Sequence, residues 1–357
     1  MFNKLSDETW LACRALRVVV VATLLSAISL PMHGCTSSTP HASDHFDGQR
    51  FQNRQAMPDP TFWEEVRIAW LLRTKTKNWP DRFESKPAQL LKEPVVRGIR
   101  ILWIGHAGVL IQTPSLNILT DPVLLGSIDP RWFPTKTVTS PGITIDELPK
   151  IDVILISHSH YDHLDVKSLH AVVDRQLKDP PRILAGLGIG QLMRKEGISS
   201  CTELDWDQSV AVKDTRFYFL EAIHTSRRGI WDTNRTLWGS FLVDSPEGRI
   251  YFAGDTAYGS HFKHIYDRFG APRVSLLPIG AYEPRWFMYR MHMNPDDAVR
   301  AHLDLHSEHS IAIHFGFLDM ALESYQAPVK DLAAARIAHR IDDSAFVAPH
   351  LGQVFQY

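Results

Sequence analysis

His158-Ser159-His160-Tyr161-Asp162-His163 follows directly on Ile151-Asp-Val-Ile-Leu-Ile-Ser157. The apolar, β-branched run before it reads as a buried strand. Four metal-competent side chains are thus packed into six residues just past a strand end. His158 and His160 alternate, so an extended turn can aim both rings at one point. Asp162 and His163 stand one step on, suited to a second, neighbouring point. Neutral imidazole and carboxylate are ligands that suit zinc and related divalent ions. A chance cluster of surface histidines is the bland alternative, and the strand, the spacing and the downstream partners speak against it.

Those partners are His224 in Phe217-Tyr-Phe-Leu-Glu-Ala-Ile-His224, Asp255 in Tyr251-Phe-Ala-Gly-Asp255 and His314 in Ser310-Ile-Ala-Ile-His314. Each closes an apolar, strand-like run, as the first cluster does. Strand ends that each deliver one ligand to a shared edge make a precise site on a rigid scaffold. An aspartate can bridge two cations, and a pair of ions held roughly 3.5–4 Å apart can clamp a hydroxide between them.

The His-x-His-x-Asp-His motif, with His224, Asp255 and His314 following in that order, resembles the metallo-β-lactamase superfamily. The resemblance implies an α/β fold, a four-layer αβ/βα sandwich. It also implies two divalent metal ions, with zinc the expected metal. His158, His160 and His224 would bind the first, Asp162, His163 and His314 the second, with Asp255 bridging. Cys201 precedes His224, which disfavours the β-lactamases that use a cysteine ligand. Four further segments are similar to the N-acyl-phosphatidylethanolamine-hydrolysing phospholipase D family. They are Trp103-Ile-Gly-His-Ala-Gly-Val-Leu-Ile111, Leu119-Thr-Asp-Pro122, Asn234-Arg-Thr-Leu-Trp-Gly239 and Leu277-Pro-Ile-Gly-Ala-Tyr-Glu-Pro-Arg-Trp-Phe-Met288, continued by His292-Met-Asn-Pro-Asp-Asp-Ala-Val299. The similarity runs from about Phe46 onward and implies a phosphodiester in a membrane lipid as substrate. The family usually has Trp-Gly-Thr-Phe after the last histidine, where this chain has Phe315-Gly-Phe-Leu318, and a threonine where this chain has Gly108.

The 357 residues suit one large domain with short extensions, or two small domains, and 44% hydrophobic content supports a sizeable core. A net charge of −2 argues against a nucleic-acid partner. Three scattered cysteines, Cys13, Cys35 and Cys201, are too few for a disulfide framework or a cysteine zinc site.

At the N-terminus, Val18 to Leu30 is apolar and follows Arg14 and Arg17. It is shorter than the roughly 20 residues a membrane-spanning helix needs and has the shape of a secretory signal. Met32-His-Gly-Cys35 resembles a lipoprotein processing box, so Cys35 is the expected lipidation site. The expected location is the bacterial cell envelope, as an outer-membrane lipoprotein facing the periplasm. The expected organisation is a signal and lipoprotein segment over 1–35, a polar tether over 36–60, a helical extension over 61–95 and a hydrolase domain over 96–357. Thr61 to Leu72 has helical spacing, with Thr61 as N-cap. It reads as a helix packed on the domain, with a membrane-surface helix as the sharper alternative.

Outside the ligand series, His106 is expected beside the site in a structural role, and Asp121 beneath it as a support for the ligand loop. Arg285 could meet an anionic phosphate or pair with a nearby acid, and Trp286 joins it as a candidate substrate contact. Trp286, Phe287, Phe315 and Phe317 could line a wall for an acyl chain or simply pack the core. The catalytic candidates are Asp162, to orient a hydroxide, and a protonated His292, to help the leaving group. The expected activity is that of a dinuclear metal-dependent hydrolase acting on a lipid phosphodiester. Its rivals are a hydrolase of lactones, cyclic phosphodiesters or nucleic acids on the same scaffold, and a metal-binding envelope protein without turnover. The partners expected are the substrate and a membrane reached through the N-terminal anchor, with a homodimer left open.

Overall fold

Runs of Val, Ile and Leu, short and bounded by turn residues, become the central strands, which are buried on both faces. The computed structural model describes residues 43–74, 79–82, 93–128 and 135–357. In chain order it has α1 (Phe62–Thr74), β1 (Arg100–Gly105), β2 (Gly108–Gln112), β3 (Asn117–Thr120), β4 (Ser127–Ile128), β5 (Thr135–Lys136) and β6 (Val153–Ile156). Then come α2 (Val166–Asp174), β7 (Arg182–Gly186), α3 (Ile189–Lys195), β8 (Cys201–Leu204), β9 (Ser209–Val212), β10 (Thr215–Leu220), β11 (Ser240–Ser245) and β12 (Gly248–Phe252). The last part holds α4 (His261–Phe269), β13 (Val274–Pro278), α5 (Arg285–Met288), α6 (Pro295–Asp304), β14 (His309–Ile313), α7 (Ala327–His339), β15 (Phe346–Val347) and β16 (Val354–Gln356).

Two seven-stranded sheets result, ordered β16-β1-β2-β3-β6-β7-β8 and β15-β14-β13-β12-β11-β10-β9. In each, a hairpin-like antiparallel part meets a parallel part: β3-β6-β7-β8 in the first, β12-β13-β14-β15 in the second. Parallel strands need both faces covered. The period of two along β1 and β6 shows how. Ile101, Trp103, Val153 and Leu155 join Phe217, Phe219, Phe241 and Phe252 of the other sheet in the central core. Leu102, Ile104, Ile154 and Ile156 face the other way, against Leu169 and Val172 of α2 and Ile189 and Met193 of α3. Phe262 of α4, Val299 of α6 and Leu332 of α7 pack with the second sheet. This is the expected αβ/βα sandwich.

The N-terminal part differs from the expectation. The tether expected over 36–60 is, in its described part, a strap bound to the domain. Phe51 is 1% exposed, and its N–H donates to the Asn234 carbonyl at 2.8 Å. His45 stacks on Trp206 with ring centres 4.0 Å apart and reaches Asp205 at 3.0 Å. Polar composition suggested a solvated linker, but these polar groups are spent on the domain. Thr61 caps α1 as expected: the Glu64 N–H donates to Thr61 Oγ1 at 3.3 Å, and the Thr61 N–H to Glu64 Oε2 at 2.8 Å. Ile68 is the one buried residue of α1. Cys35 and the segment 1–35 lie outside the described residues. Among the described residues no helix is long and apolar enough to cross a membrane.

The strap makes a first prediction. Phe51→Ala lowers the unfolding free energy by about 3–5 kcal/mol, as for a core phenylalanine. A shift in the urea transition worth no more than about 0.5 kcal/mol, the size expected of a surface position, would return the segment to a tether.

Candidate metal centre and catalytic cleft

All the strand ends that matter open on one edge of the sandwich. His106 follows β1, Asp121 follows β3, and His158 to His163 follow β6. His224 lies beyond β10, Asp255 beyond β12 and His314 directly after β14. Three of these residues, His106, Asp121 and His314, adopt positive φ (53°, 28° and 59°). Non-glycine residues there carry strain on the order of 1–3 kcal/mol, which the surrounding sheet ends must hold. At Gly280 the backbone passes so close to the His314 carbonyl that any Cβ would collide with it.

The first group is His158, His160 and His224. His158 Nε2 lies 2.8 Å and His224 Nε2 3.2 Å from His160 Nδ1. The outer nitrogens set the tautomers. His158 Nδ1 donates to Ser157 Oγ at 2.9 Å, and His224 Nδ1 donates to the Met291 carbonyl at 2.9 Å. Both Nε2 lone pairs are thereby turned inward, as in metal-binding histidines supported from behind.

The second group is His106, Asp162, His163 and His314. His163 Nε2 is 3.3 Å and His314 Nε2 3.6 Å from Asp162 Oδ2. Asp255 Oδ2 lies 3.2 Å from each of those ring nitrogens and 3.8 Å from His224 Nε2, so it touches both groups. Asp121 sits beneath, accepting from Ser157 N (2.8 Å), Ser157 Oγ (2.5 Å) and His163 Nδ1 (2.7 Å). It thus ties the end of β3 to the ligand loop. His106 Nε2 is 2.8 Å from Asp162 Oδ2, which orients that carboxylate from behind.

Several atoms at the centre lack any hydrogen-bond partner: His163 Nε2, both nitrogens of His314, His292 Nδ1 and Asp255 Oδ1. Buried polar atoms are normally paired. Their convergence, from imidazole and carboxylate donors, fits divalent cations.

Electrostatics agree. Burial alone would raise Asp162 and Asp255, yet His163, with His106 for Asp162 and His314 for Asp255, holds both well below the usual carboxylate range. Burial lowers His158 and His224 well below 6.5, leaving neutral rings. It would lower His163 and His314 too, but Asp255 and Asp162 outweigh it. His314 rises to about 9 and His163 well above its ordinary value. Without a cation these two rings hold protons against the carboxylates, and a cation would take the protons' place.

Over this centre lies a cavity of about 330 Å³, floored by His160, Asp162, Asp255 and His314. His292 stands at its wall, its Nδ1 3.8 Å from Asp255 Oδ2. Burial pushes His292 down to about 4, so the ring is neutral near pH 7 rather than protonated as expected. Arg285 and Trp286 are not among the residues around this cavity. The Arg285 guanidinium pairs with Asp297 and donates to the His292 carbonyl at 2.7 Å, so it braces His292 from within. Arg67 lies over the Trp286 ring at 4.6 Å. Phe315 stacks on Trp103 and Phe317 is buried in a small core cluster, so neither supplies the expected wall. The wall is instead Ile128, Met288 and Met320, with Tyr161 and Arg227 at other points. Lone methionines and an arginine between polar residues carry no periodic signal, so the sequence did not single them out. Arg228 was missed as well. It donates to the carbonyls of Ser159 (3.0 Å) and Leu164 (2.8 Å) and covers the Tyr161 ring, bracing the ligand loop.

Comparison with known proteins follows the same line. The family model for the beta-lactamase superfamily domain matches residues 116–315. The chain is 33% identical over 272 residues to N-acyl-phosphatidylethanolamine-hydrolyzing phospholipase D 1 of Caenorhabditis elegans, covering 72% of this chain and 76% of that protein. It is 36% identical over 261 residues to an uncharacterized protein of Mycobacterium tuberculosis, covering 70% and 68%. Among solved structures, a possible metal-dependent hydrolase from Veillonella parvula superposes with a TM-score of 0.57 at 16% identity, over 73% of this chain and all of that one (100%).

The pKa shifts predict how the metal-free protein responds to acid. His106 and His292 are buried neutral, lowered to about 3 and about 4, against 6.5 when unfolded. Below pH 6.5 the unfolded chain binds protons that these folded rings refuse, so stability falls as pH drops toward 4. Melting temperature in excess chelator should therefore decline from about pH 6.5 downward, before the carboxylates titrate. A flat profile between pH 7 and 5 would contradict the neutral-ring assignment.

Proposed function

The chain belongs to the metallo-β-lactamase superfamily, and from that premise we propose that it is a dinuclear zinc hydrolase of acyl-bearing phosphodiesters, phospholipase D-like in its reaction. The observation that carries the dinuclear reading is Asp255, whose Oδ2 lies within 3.8 Å of ring nitrogens from both ligand groups. His158, His160 and His224 would hold one ion, Asp162, His163 and His314 the other. When bound, the two cations supply Lewis acidity at substrate oxygens and a water of lowered pKa.

The remaining chemistry falls to the chain's own groups. Asp162, fixed by His106, accepts a hydrogen bond from the attacking water. Neutral His292, braced by Arg285, can donate its ring N–H to a substrate oxygen. Arg227 brings positive charge to the cavity and suits a phosphate. Ile128, Met288 and Met320 offer apolar surface to a chain. The lipid reading is also supported by the name of the Caenorhabditis elegans relative and by α1. Trp63 and Trp70 of that helix are 75% and 62% exposed, with Arg67 and Arg73 beside them. Aromatics with flanking cations suit a lipid surface. The Glu64–Arg290 ion pair (3.0 Å) ties this helix to the segment that carries Met288. A lipid anchor at Cys35 in the bacterial outer membrane, facing the periplasm, would bring both to the same surface.

Two tests follow. Purified protein should carry close to two zinc ions per chain by elemental analysis. His158→Ala and His314→Ala should each lose at least one ion and abolish hydrolysis; full metal content in both variants would refute the ligand assignment. Along a series of phosphodiesters with longer acyl chains, kcat/KM should rise up to about fourfold per buried methylene, from roughly 0.8 kcal/mol each. His292→Ala should lower turnover with metal content intact. A flat series with faster cleavage of lactones or short nucleotides would replace the lipid reading with that of another hydrolase on this scaffold.

A further inference from the structure

Asn53 lies 171 residues before His224 in the chain and outside the stretch matched by the family model. Its amide nevertheless makes a two-point contact with the backbone of that histidine. Asn53 Nδ2 donates to the His224 carbonyl at 3.0 Å, and the His224 N–H donates to Asn53 Oδ1 at 3.1 Å. The same Oδ1 accepts from Trp238 Nε1 at 2.9 Å. His224 has left β10 by four residues and belongs to no strand, so no ladder satisfies its peptide groups. The side-chain amide takes the place of a neighbouring strand.

On the ring side, Met291 accepts from His224 Nδ1. The ring therefore has its tautomer set by one partner and its backbone set by another. We propose that Asn53 is a positioning residue for the metal centre: it fixes where His224 Nε2 points, and the centre is complete only with the strap docked. This rests on the reading of His224 as a ligand. Other strap contacts do not touch His224. Arg54 pairs with Asp207 at 2.8 Å, and Phe51 fills the core. They separate the docking of the strap from the aiming of the ring.

The test uses the full chain and cobalt(II), whose visible absorption bands report ligand geometry. Affinity is read by competition with a chromophoric chelator. Asn53→Ala should weaken one cobalt ion by about tenfold or more, the range for loss of a group that orients a ligand. It should also alter the bands, with far-UV circular dichroism unchanged. Arg54→Ala should match the wild type in both readouts. Wild-type affinity and bands in Asn53→Ala, while His224→Ala loses an ion, would overturn the proposal. If His224→Ala itself keeps both ions and the same bands, the ligand reading fails and takes this proposal with it. Should Asn53→Ala not fold, Asn53→Asp carries the same comparison, because it keeps the acceptor and loses the donor to the His224 carbonyl.

Discussion

Buried nitrogens and carboxylates that the protein cannot satisfy by itself dominate the edge of this sandwich. His163, His292, His314 and Asp255 each present a buried atom with no hydrogen-bond partner. Leaving such a group unpaired costs roughly 1–3 kcal/mol, more when it is charged. A flexible loop would escape that cost by turning the rings to water. Here it cannot. Asp121 binds the ligand loop at three points, Arg228 clasps the carbonyls at either end of it, and left-handed turns at His106, Asp121 and His314 follow directly on rigid strands. The two sheets supply the stability that keeps this crowd of buried rings and carboxylates in place. A cation turns that arrangement from a penalty into a binding site.

This division of labour explains which parts were legible in the sequence. Strands that are buried on both faces must be apolar runs, so β6, β12 and β14 stand out. Residues at or just past their ends that break the apolar pattern with His or Asp can be read as site residues, and Asp121, His158, Asp255 and His314 are of this kind, while His224 stands four residues beyond the partly exposed β10. Orientation is a different matter. Arg285 and Trp286 were sensible candidates by residue type, but type does not say which way a guanidinium points. Asp297, on the first turn of α6, captures Arg285 and turns it inward. Arg227 lies on an irregular loop, where no period marks a direction. The side chains around the cavity come from five or more separate segments, and only the fold brings Ile128, Met288 and Met320 together.

The strap shows the same limit from another side. Residues 43–60 are rich in Asp, Gln, Arg and Pro, and in a free chain that composition favours solvent. The composition does not distinguish polar groups facing water from polar groups that complete somebody else's backbone. Asn53 does the latter, closing two hydrogen bonds on the backbone of His224, which has no ladder of its own, while His45 and Arg54 pair with the carboxylates of Asp205 and Asp207. Phe51 is the buried apolar anchor, with Phe46 half-buried against it at 4.7 Å between ring centres, and two phenylalanines five residues apart among polar neighbours are too little to register as periodicity.

Charge balance bears on the substrate class proposed for the cleft. Among the seven proposed ligands only Asp162 and Asp255 are anions, with Asp121 beneath them. If two divalent cations bind as proposed, their four positive charges are met by these three carboxylates and a bound hydroxide, which leaves the floor of the cavity close to neutral. His292 adds no charge, because burial keeps that ring neutral near pH 7. Arg227 adds a positive charge at the cavity. In a partly desolvated cleft such a charge is screened weakly, and it is best relieved by a ligand that brings negative charge with it. A neutral lactone offers only a dipole. A phosphodiester offers a full charge on oxygens that can sit over the centre, while Ile128, Met288 and Met320 take up apolar atoms attached to it. The electrostatics and the lining therefore favour the same kind of molecule, an anionic head joined to an apolar chain.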